Sequence, residues 1–227
     1  MPRWGDRRRT RVGLLGGSFN PAHEGHLHIA RLARRRLRLD QVWLLVSPGN
    51  PLKPAHGMAT LADRLGSARR LADGRRVVAT DIEARLHTRY TYDTLRRLRR
   101  LFPRVKFVWI MGADNLVQLP HWQRWTGIAG TMPFAVMPRP TYNARALASM
   151  AAQRLRGALH PARGAPVLAG SRAPAWTFLP ARQNPASATA LRDGRGAAPG
   201  WPPSHAGSHP AAKGAIAPAR SRTGAWT

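Results

Sequence analysis

The strongest constraint on this chain is an alternation. Six short apolar runs, at 12–15, 42–46, 77–80, 105–111, 134–137 and 176–179, are separated by longer arginine-rich segments. The segments at 26–39, 60–72, 92–101, 115–129 and 144–159 carry apolar residues at helical spacing. Strands joined through helices of ten or more residues do not pair as hairpins. They require right-handed crossovers and a parallel sheet covered on both faces. The expected class is therefore α/β. In such sheets a ligand sits at the carboxyl ends of the strands, near the point where strand order reverses.

Composition sets the limits around that core. The chain has 227 residues, which suits one domain and a tail. Residues 1–10 read as a basic extension and 11–192 as the folded domain. Residues 193–227 are dominated by Gly, Ala, Pro and Ser with no helical or strand period, and are expected to be disordered. There is no cysteine, which excludes disulfides, Cys-ligated zinc or Fe–S centres and a thiol nucleophile. No apolar run approaches the ~20 residues of a membrane span, and no apolar core of a signal peptide follows the basic start. A cytoplasmic protein with no membrane partner is the expectation.

The net charge of +27 is nearly all arginine, and lysine occurs only at Lys53, Lys106 and Lys213. Such a charge suits nucleic acid, but it equally suits an enzyme with polyanionic substrates or a compositional bias on solvated helix faces. The charge lies at +24 on residues 1–192 and +3 on the rest. Arg31, Arg34, Arg35 and Arg38 alternate with Leu32, Leu37 and Leu39, and Arg96, Arg97, Arg99 and Arg100 with Leu95, Leu98 and Leu101. Leucines at that spacing face a sheet and the arginines face water. Neither run has the interleaved aromatics of a nucleic-acid groove, so nucleic acid is not the expected partner.

The chemistry concentrates directly after the first apolar run, in Gly16-Gly17-Ser18-Phe19-Asn20-Pro21-Ala22-His23-Glu24-Gly25-His26. The glycines suggest a tight turn with backbone N–H groups close to a phosphate. A helix start at His26 would add partial positive charge. Two imidazoles three residues apart can donate to one anion and stabilise charge on a transferring phosphoryl group. His23, His26 and His28 are spaced three and two apart, unlike the i, i+4 ligand pairs of helical zinc sites, so no resident metal is expected. The glycine fingerprints of redox dinucleotide folds and P-loop NTPases are both absent.

This stretch resembles the signature of the H-x-G-H nucleotidylyltransferase superfamily. Ser47-Pro48-Gly49-Asn50-Pro51-Leu52-Lys53 resembles its second-strand loop and Ser187-Ala188-Thr189-Ala190-Leu191-Arg192 its late S-S-T-x-I-R motif, while Tyr90-Thr91-Tyr92-Asp93-Thr94-Leu95 and Met111-Gly112-Ala113-Asp114-Asn115 with His121-Trp122 are similar to the bacterial nicotinate-nucleotide branch. The resemblance covers about residues 11–192. It implies a Rossmann-like nucleotidylyltransferase fold. The implied reaction joins ATP, carried with Mg²⁺, to nicotinate mononucleotide, giving nicotinate adenine dinucleotide and pyrophosphate. Gly16, Gly17 and Ser18 would contact phosphates. His23 and His26 would hold the ATP phosphates and stabilise the transition state, and Lys53 would reach a phosphate. Thr91 would meet the nicotinate carboxylate, Trp122 would stack on the pyridine ring, and Asp114 would accept from a ribose hydroxyl. Ser187, Thr189 and Arg192 would close the phosphate cradle, with Arg192 on the leaving pyrophosphate. Arg139, just after a strand, is a further phosphate candidate. Ala188 and Leu191 depart from the S-S-T-x-I-R pattern and remove one hydroxyl. A sister transferase with another phosphate acceptor is the alternative within the class, and a basic nucleic-acid-binding protein the alternative outside it.

Overall fold

A computed structural model describes residues 9–49 and 57–180. Seven strands form one sheet in which every pairing is parallel: β1 (Arg11–Gly17), β2 (Gln41–Val46), β3 (Val77–Thr80), β4 (Lys106–Gly112), β5 (Phe134–Met137), β6 (Leu159–His160) and β7 (Trp176–Phe178). The order is β3-β2-β1-β4-β5-β7-β6. The chain winds outward from β1 to β3 on one side, then crosses back to start β4 on the other. The switch point is therefore the crevice between β1 and β4.

Alternate side chains of each strand feed two separate cores. Val12, Leu14, Trp43, Leu45, Phe107, Trp109, Met111, Phe134 and Val136 face one layer of helices. Those helices are α3 (Ile82–Arg85), α4 (Thr91–Leu101), α5 (Ala113–Gln118), α6 (Trp125–Thr131), α7 (Asn143–Leu147) and α8 (Met150–Arg154). Leu15, Val42, Leu44, Val46, Val108, Ile110, Ala135 and Met137 face α1 (Glu24–Arg36), α2 (Leu61–Leu71) and the 3-10 run Ala162–Gly170. Burial on both faces is why the strands read as continuous apolar runs. Each fully buried leucine, such as Leu44 or Leu45, contributes about 1.5–3 kcal/mol of transfer free energy.

All six expected strands form, with boundaries shifted by at most two residues. The two-residue β6 and the 3-10 run were not anticipated. The expected helix at 115–129 is broken into α5, a 3-10 turn at Leu119–His121 carrying Pro120, and α6. Pro120 offers no N–H to continue a helix, and Arg124 sits at φ 51° just before α6. The expected helix at 144–159 divides at Ser149, whose hydroxyl accepts from the Ala152 N–H and starts α8.

The arginine faces mostly behave as expected. Arg31, Arg35 and Arg38 are exposed beside buried Leu32, Leu37 and Leu39. Two arginines on α4 do more. Arg97 donates to the Leu86 carbonyl and Arg99 to that of Thr131 (2.6 Å), tying α4 to the ends of α3 and α6. Among the described residues, no helix is long and apolar enough to cross a membrane.

Candidate active site

β1 ends at Gly17, and the chain turns through Ser18–Ala22 into α1. The sharp position is not a glycine. Phe19 takes φ 48°, while Gly16 and Gly17 lie in β1 with no positive φ. Their smallness serves packing instead. A Cβ on Gly16 would lie 2.5 Å from the Trp109 ring, and one on Gly17 would lie 3.2 Å from the Phe19 ring. The two glycines therefore do not make the turn expected of them. Phe19, 1% exposed, fills the space under the turn and tilts against the His26 ring at 4.7 Å.

α1 starts at Glu24, two residues earlier than expected, because His23 is its N-cap. The Gly25 N–H donates to His23 Nδ1 (3.2 Å), and the His23 N–H donates to His26 Nδ1 (3.2 Å). Two histidines thus build the reciprocal bonds that Ser/Thr and Glu usually make in a capping box. The consequence is chemical. An Nδ1 that accepts an N–H carries no proton, so each neutral ring bears its hydrogen on Nε2. The rings lie 3.8 Å apart at their centroids. Burial first, then the Arg139 guanidinium, lowers the His23 pKa to about 4. Burial, then His23, then Arg139, lowers that of His26 to about 3. At neutral pH the site therefore offers two uncharged Nε2–H donors whose tautomers are fixed by the backbone.

Across the switch point, β4 delivers Gly112 and Asp114, and β5 leads to Arg139. Arg139 Nε and Asp114 Oδ1 stand 3.6 Å apart, too far for a hydrogen bond, and both atoms are buried without a hydrogen-bond partner. Gly112 makes this approach possible. A Cβ there would lie 2.3 Å from Asp114 Oδ1 and 3.0 Å from Arg139 Nε. Buried polar atoms without partners are costly unless something completes them. Arg139, a lesser candidate in the sequence, is thus the cation felt by both histidines.

Thr91 is the first residue of α4 and Tyr90 its cap, with no side-chain capping bond. Trp122 is half-buried against the α4–α6 core, and its Nε1 is buried without a partner. Ser18 faces α2 through its carbonyl, which accepts from Arg64. Lys53, Ser187, Thr189 and Arg192 lie outside the described residues. Among the described residues, no group of three or more His, Asp or Glu is placed to hold a metal ion.

Two residues at this edge escaped the sequence reading. Arg64 is 2% exposed and donates to the carbonyls of Ala59 (2.9 Å), Ser18 (2.8 Å), Ser47 (2.7 Å) and Pro48 (3.4 Å). Its signal was its place on the stripe Leu61, Arg64, Leu65, Ala68, where a core residue belongs. Glu83 carries a carboxyl that accepts from Thr94 Oγ1 (3.2 Å) and hydrogen-bonds Ser47. Burial pushes its pKa up to about 7 against those two bonds.

A parallel sheet with paired, neutral imidazole donors at the end of β1, facing an incompletely partnered Asp–Arg pair after β4 and β5, defines a nucleotidyl-transfer enzyme on a nucleotide-binding fold. Such an arrangement stabilises phosphoryl charge without a covalent nucleophile. The chain belongs to the cytidylyltransferase-like family, whose model matches residues 14–194. It is 61% identical over 183 residues to a Gluconobacter oxydans protein named "probable nicotinate-nucleotide adenylyltransferase", covering 81% of this chain and 94% of that one. A Gluconacetobacter diazotrophicus protein of the same name is 60% identical over 189 residues, covering 83% and 88%. The fold is shared with the solved structure of Plasmodium falciparum nicotinic acid mononucleotide adenylyltransferase complexed with NaAD. That match has a TM-score of 0.54 and 16% identity, over 61% of this chain and 70% of that chain.

Proposed function

We propose that this chain transfers the adenylyl group of ATP to nicotinate mononucleotide, releasing pyrophosphate and forming nicotinate adenine dinucleotide for NAD biosynthesis. The observation that carries the proposal is the pair of histidines locked by α1 capping into two neutral Nε2–H donors. The mononucleotide phosphate attacks the α-phosphorus of Mg²⁺-bound ATP in line, the bond to the β-phosphate oxygen breaks, and pyrophosphate leaves. His23 and His26 donate to the oxygens that gain charge as the phosphorus becomes pentavalent. Their neutrality suits this role, since a fixed donor adds stabilisation where charge grows without first binding a bulk anion as tightly as a cation would.

In the same proposal Arg139 and Asp114 complete their unmet bonds on substrate, the guanidinium on a phosphate and the carboxylate on a ribose hydroxyl. Trp122 presents a ring face to the pyridine, and Thr91 at the start of α4 meets the nicotinate carboxylate, where a helix N-terminus favours an anion. Ser18, Lys53, Ser187, Thr189 and Arg192 bind phosphates, and the reaction takes place in the cytoplasm. The test is a pyrophosphate-release assay with Mg–ATP and, in turn, nicotinate mononucleotide, nicotinamide mononucleotide and pantetheine phosphate. Turnover fastest with nicotinate mononucleotide is expected. Preference for pantetheine phosphate would assign the chain to a sister activity.

A further inference from the structure

Arg64 presents a physical problem that the proposed reaction does not by itself resolve. A guanidinium that is 2% exposed has left water, and among the described residues no carboxylate pairs with it. Its bonds all go to main-chain carbonyls, on three separate segments: Ser18 after β1, Ser47 and Pro48 after β2, and Ala59 before α2. Carbonyl dipoles satisfy its hydrogens but leave its full charge uncompensated, which is the expensive state for a buried ion. A neutral amide could bond such carbonyls without the cost of a buried charge, so the charge calls for a reason.

The peptide geometry supplies one. In a trans peptide the N–H of the next residue points opposite to the carbonyl. Drawing the Ser18 and Pro48 carbonyls inward to Arg64 turns the Phe19 and Gly49 N–H groups outward, away from α2. The same helix holds the turn a second time, through the Ala22 N–H bonded to Ser67 Oγ (3.2 Å). One buried cation thus orients backbone donors on both loops that follow β1 and β2, and the first of these loops leads directly into the histidine pair. Oriented N–H groups with a cation beneath them form an anion cradle.

We propose that Arg64 is a positioning residue for phosphate binding: it aims the loop amides of β1 and β2 at the site, and the polyphosphate of the bound nucleotide supplies its missing counter-charge. The inference rests on the reading of this edge as a nucleotide site, and it concerns ATP rather than the acceptor.

The experiment is calorimetric binding of Mg–ATP to the full chain without acceptor, alongside steady-state kinetics, for wild type, Arg64→Lys, Arg64→Gln and Arg64→Met. Lysine keeps the charge and loses the fork across three segments. Its ATP Kd is expected to stay within about threefold of wild type while kcat falls about tenfold or more. The neutral variants lose the charge, and their ATP Kd is expected to rise about tenfold or more, with a smaller salt dependence. A neutral variant that folds and binds ATP as wild type does overturns the proposal. So does a set of variants that changes only thermal stability, and so does a chain that fails to fold as both Lys and Met, because Met relieves the buried charge. If wild type binds ATP as expected but does not turn over nicotinate mononucleotide, the acceptor assignment fails and this inference stands.

Discussion

The β1–α1 junction and the β3–α4 junction each bury ionisable groups near the same edge of the sheet, and burial acts on them with opposite sign. At the first junction His23 and His26 are pushed down, to about 4 and about 3. At the second Glu83 is pushed up, to about 7. In both places desolvation disfavours the charged form. The difference lies in what the surrounding bonds do. Around the histidines, backbone N–H groups take both Nδ1 atoms and leave two Nε2–H donors for a ligand. Around Glu83, the partners are hydroxyls of the protein itself, Thr94 and Ser47, with Thr94 bonded on to Thr88 at 2.8 Å. The first junction keeps donors open and the second closes its bonds within the protein.

The largest expected effect breaks the first junction. His23→Ala and His26→Ala each lower kcat by about 10²–10³-fold, measured as pyrophosphate release by protein that keeps its wild-type circular dichroism. Each also removes half of the α1 cap, at a cost of about 1 kcal/mol in denaturant unfolding. Equal losses at Glu83→Gln would erase the contrast between the junctions.

Next in size is Arg139→Gln. It deprives Asp114 of its facing charge and removes the cation that depresses both histidines after burial. A drop in kcat/KM of about tenfold is expected, with the acid limb of the pH–rate profile moving to higher pH. An unmoved acid limb would detach Arg139 from the histidine pair.

The pH dependence of stability separates the junctions directly. The histidines have folded pKa values below the unfolded value of about 6.5. The unfolded chain then binds more protons, so stability is full above about pH 6.5 and is lost as pH falls toward 4 and 3. Glu83 has a folded pKa of about 7, above the unfolded value of 4.5. There the folded chain binds more protons, so stability is full below about 4.5 and is lost as pH rises to 7. Glu83→Gln keeps a neutral, hydrogen-bonding group. It is expected to raise the Tm relative to wild type at pH 8 and to leave it nearly unchanged at pH 4.5. A Tm gain of the same size at both values would show that Glu83 does not titrate. The smallest effect lies away from both junctions: removal of residues 193–227 is expected to leave turnover unchanged, and a large loss would make the tail part of the site.

The legible parts of the molecule are those where a local pattern has one physical outcome. A run such as Val42–Trp43–Leu44–Leu45–Val46, buried on both faces, can only be an interior parallel strand, and its order among helices dictates the crossovers. The Gly-Gly-Ser-Phe stretch with two histidines is legible as the turn that leads from β1 into α1. Its conformation was misread, because Phe19 rather than a glycine takes the left-handed turn, and that depends on ring packing around Gly16 and Gly17. The break at Pro120 is written in the sequence, whereas the burial of Arg64 rests on carbonyls from three separate segments.

By itself, then, the sequence determined the sheet, the crossovers and the place of the glycine–histidine turn after β1, because hydrophobic period and glycine–histidine spacing are local and survive any packing. Only the tertiary structure decided which arginine is buried, which histidine nitrogen carries the proton, and that Arg139 stands against Asp114. The two arginines depend on desolvation and on contacts with residues up to 46 positions away, and the histidine protons on ring orientations that the short capping bonds select, and a pattern of residue types encodes neither.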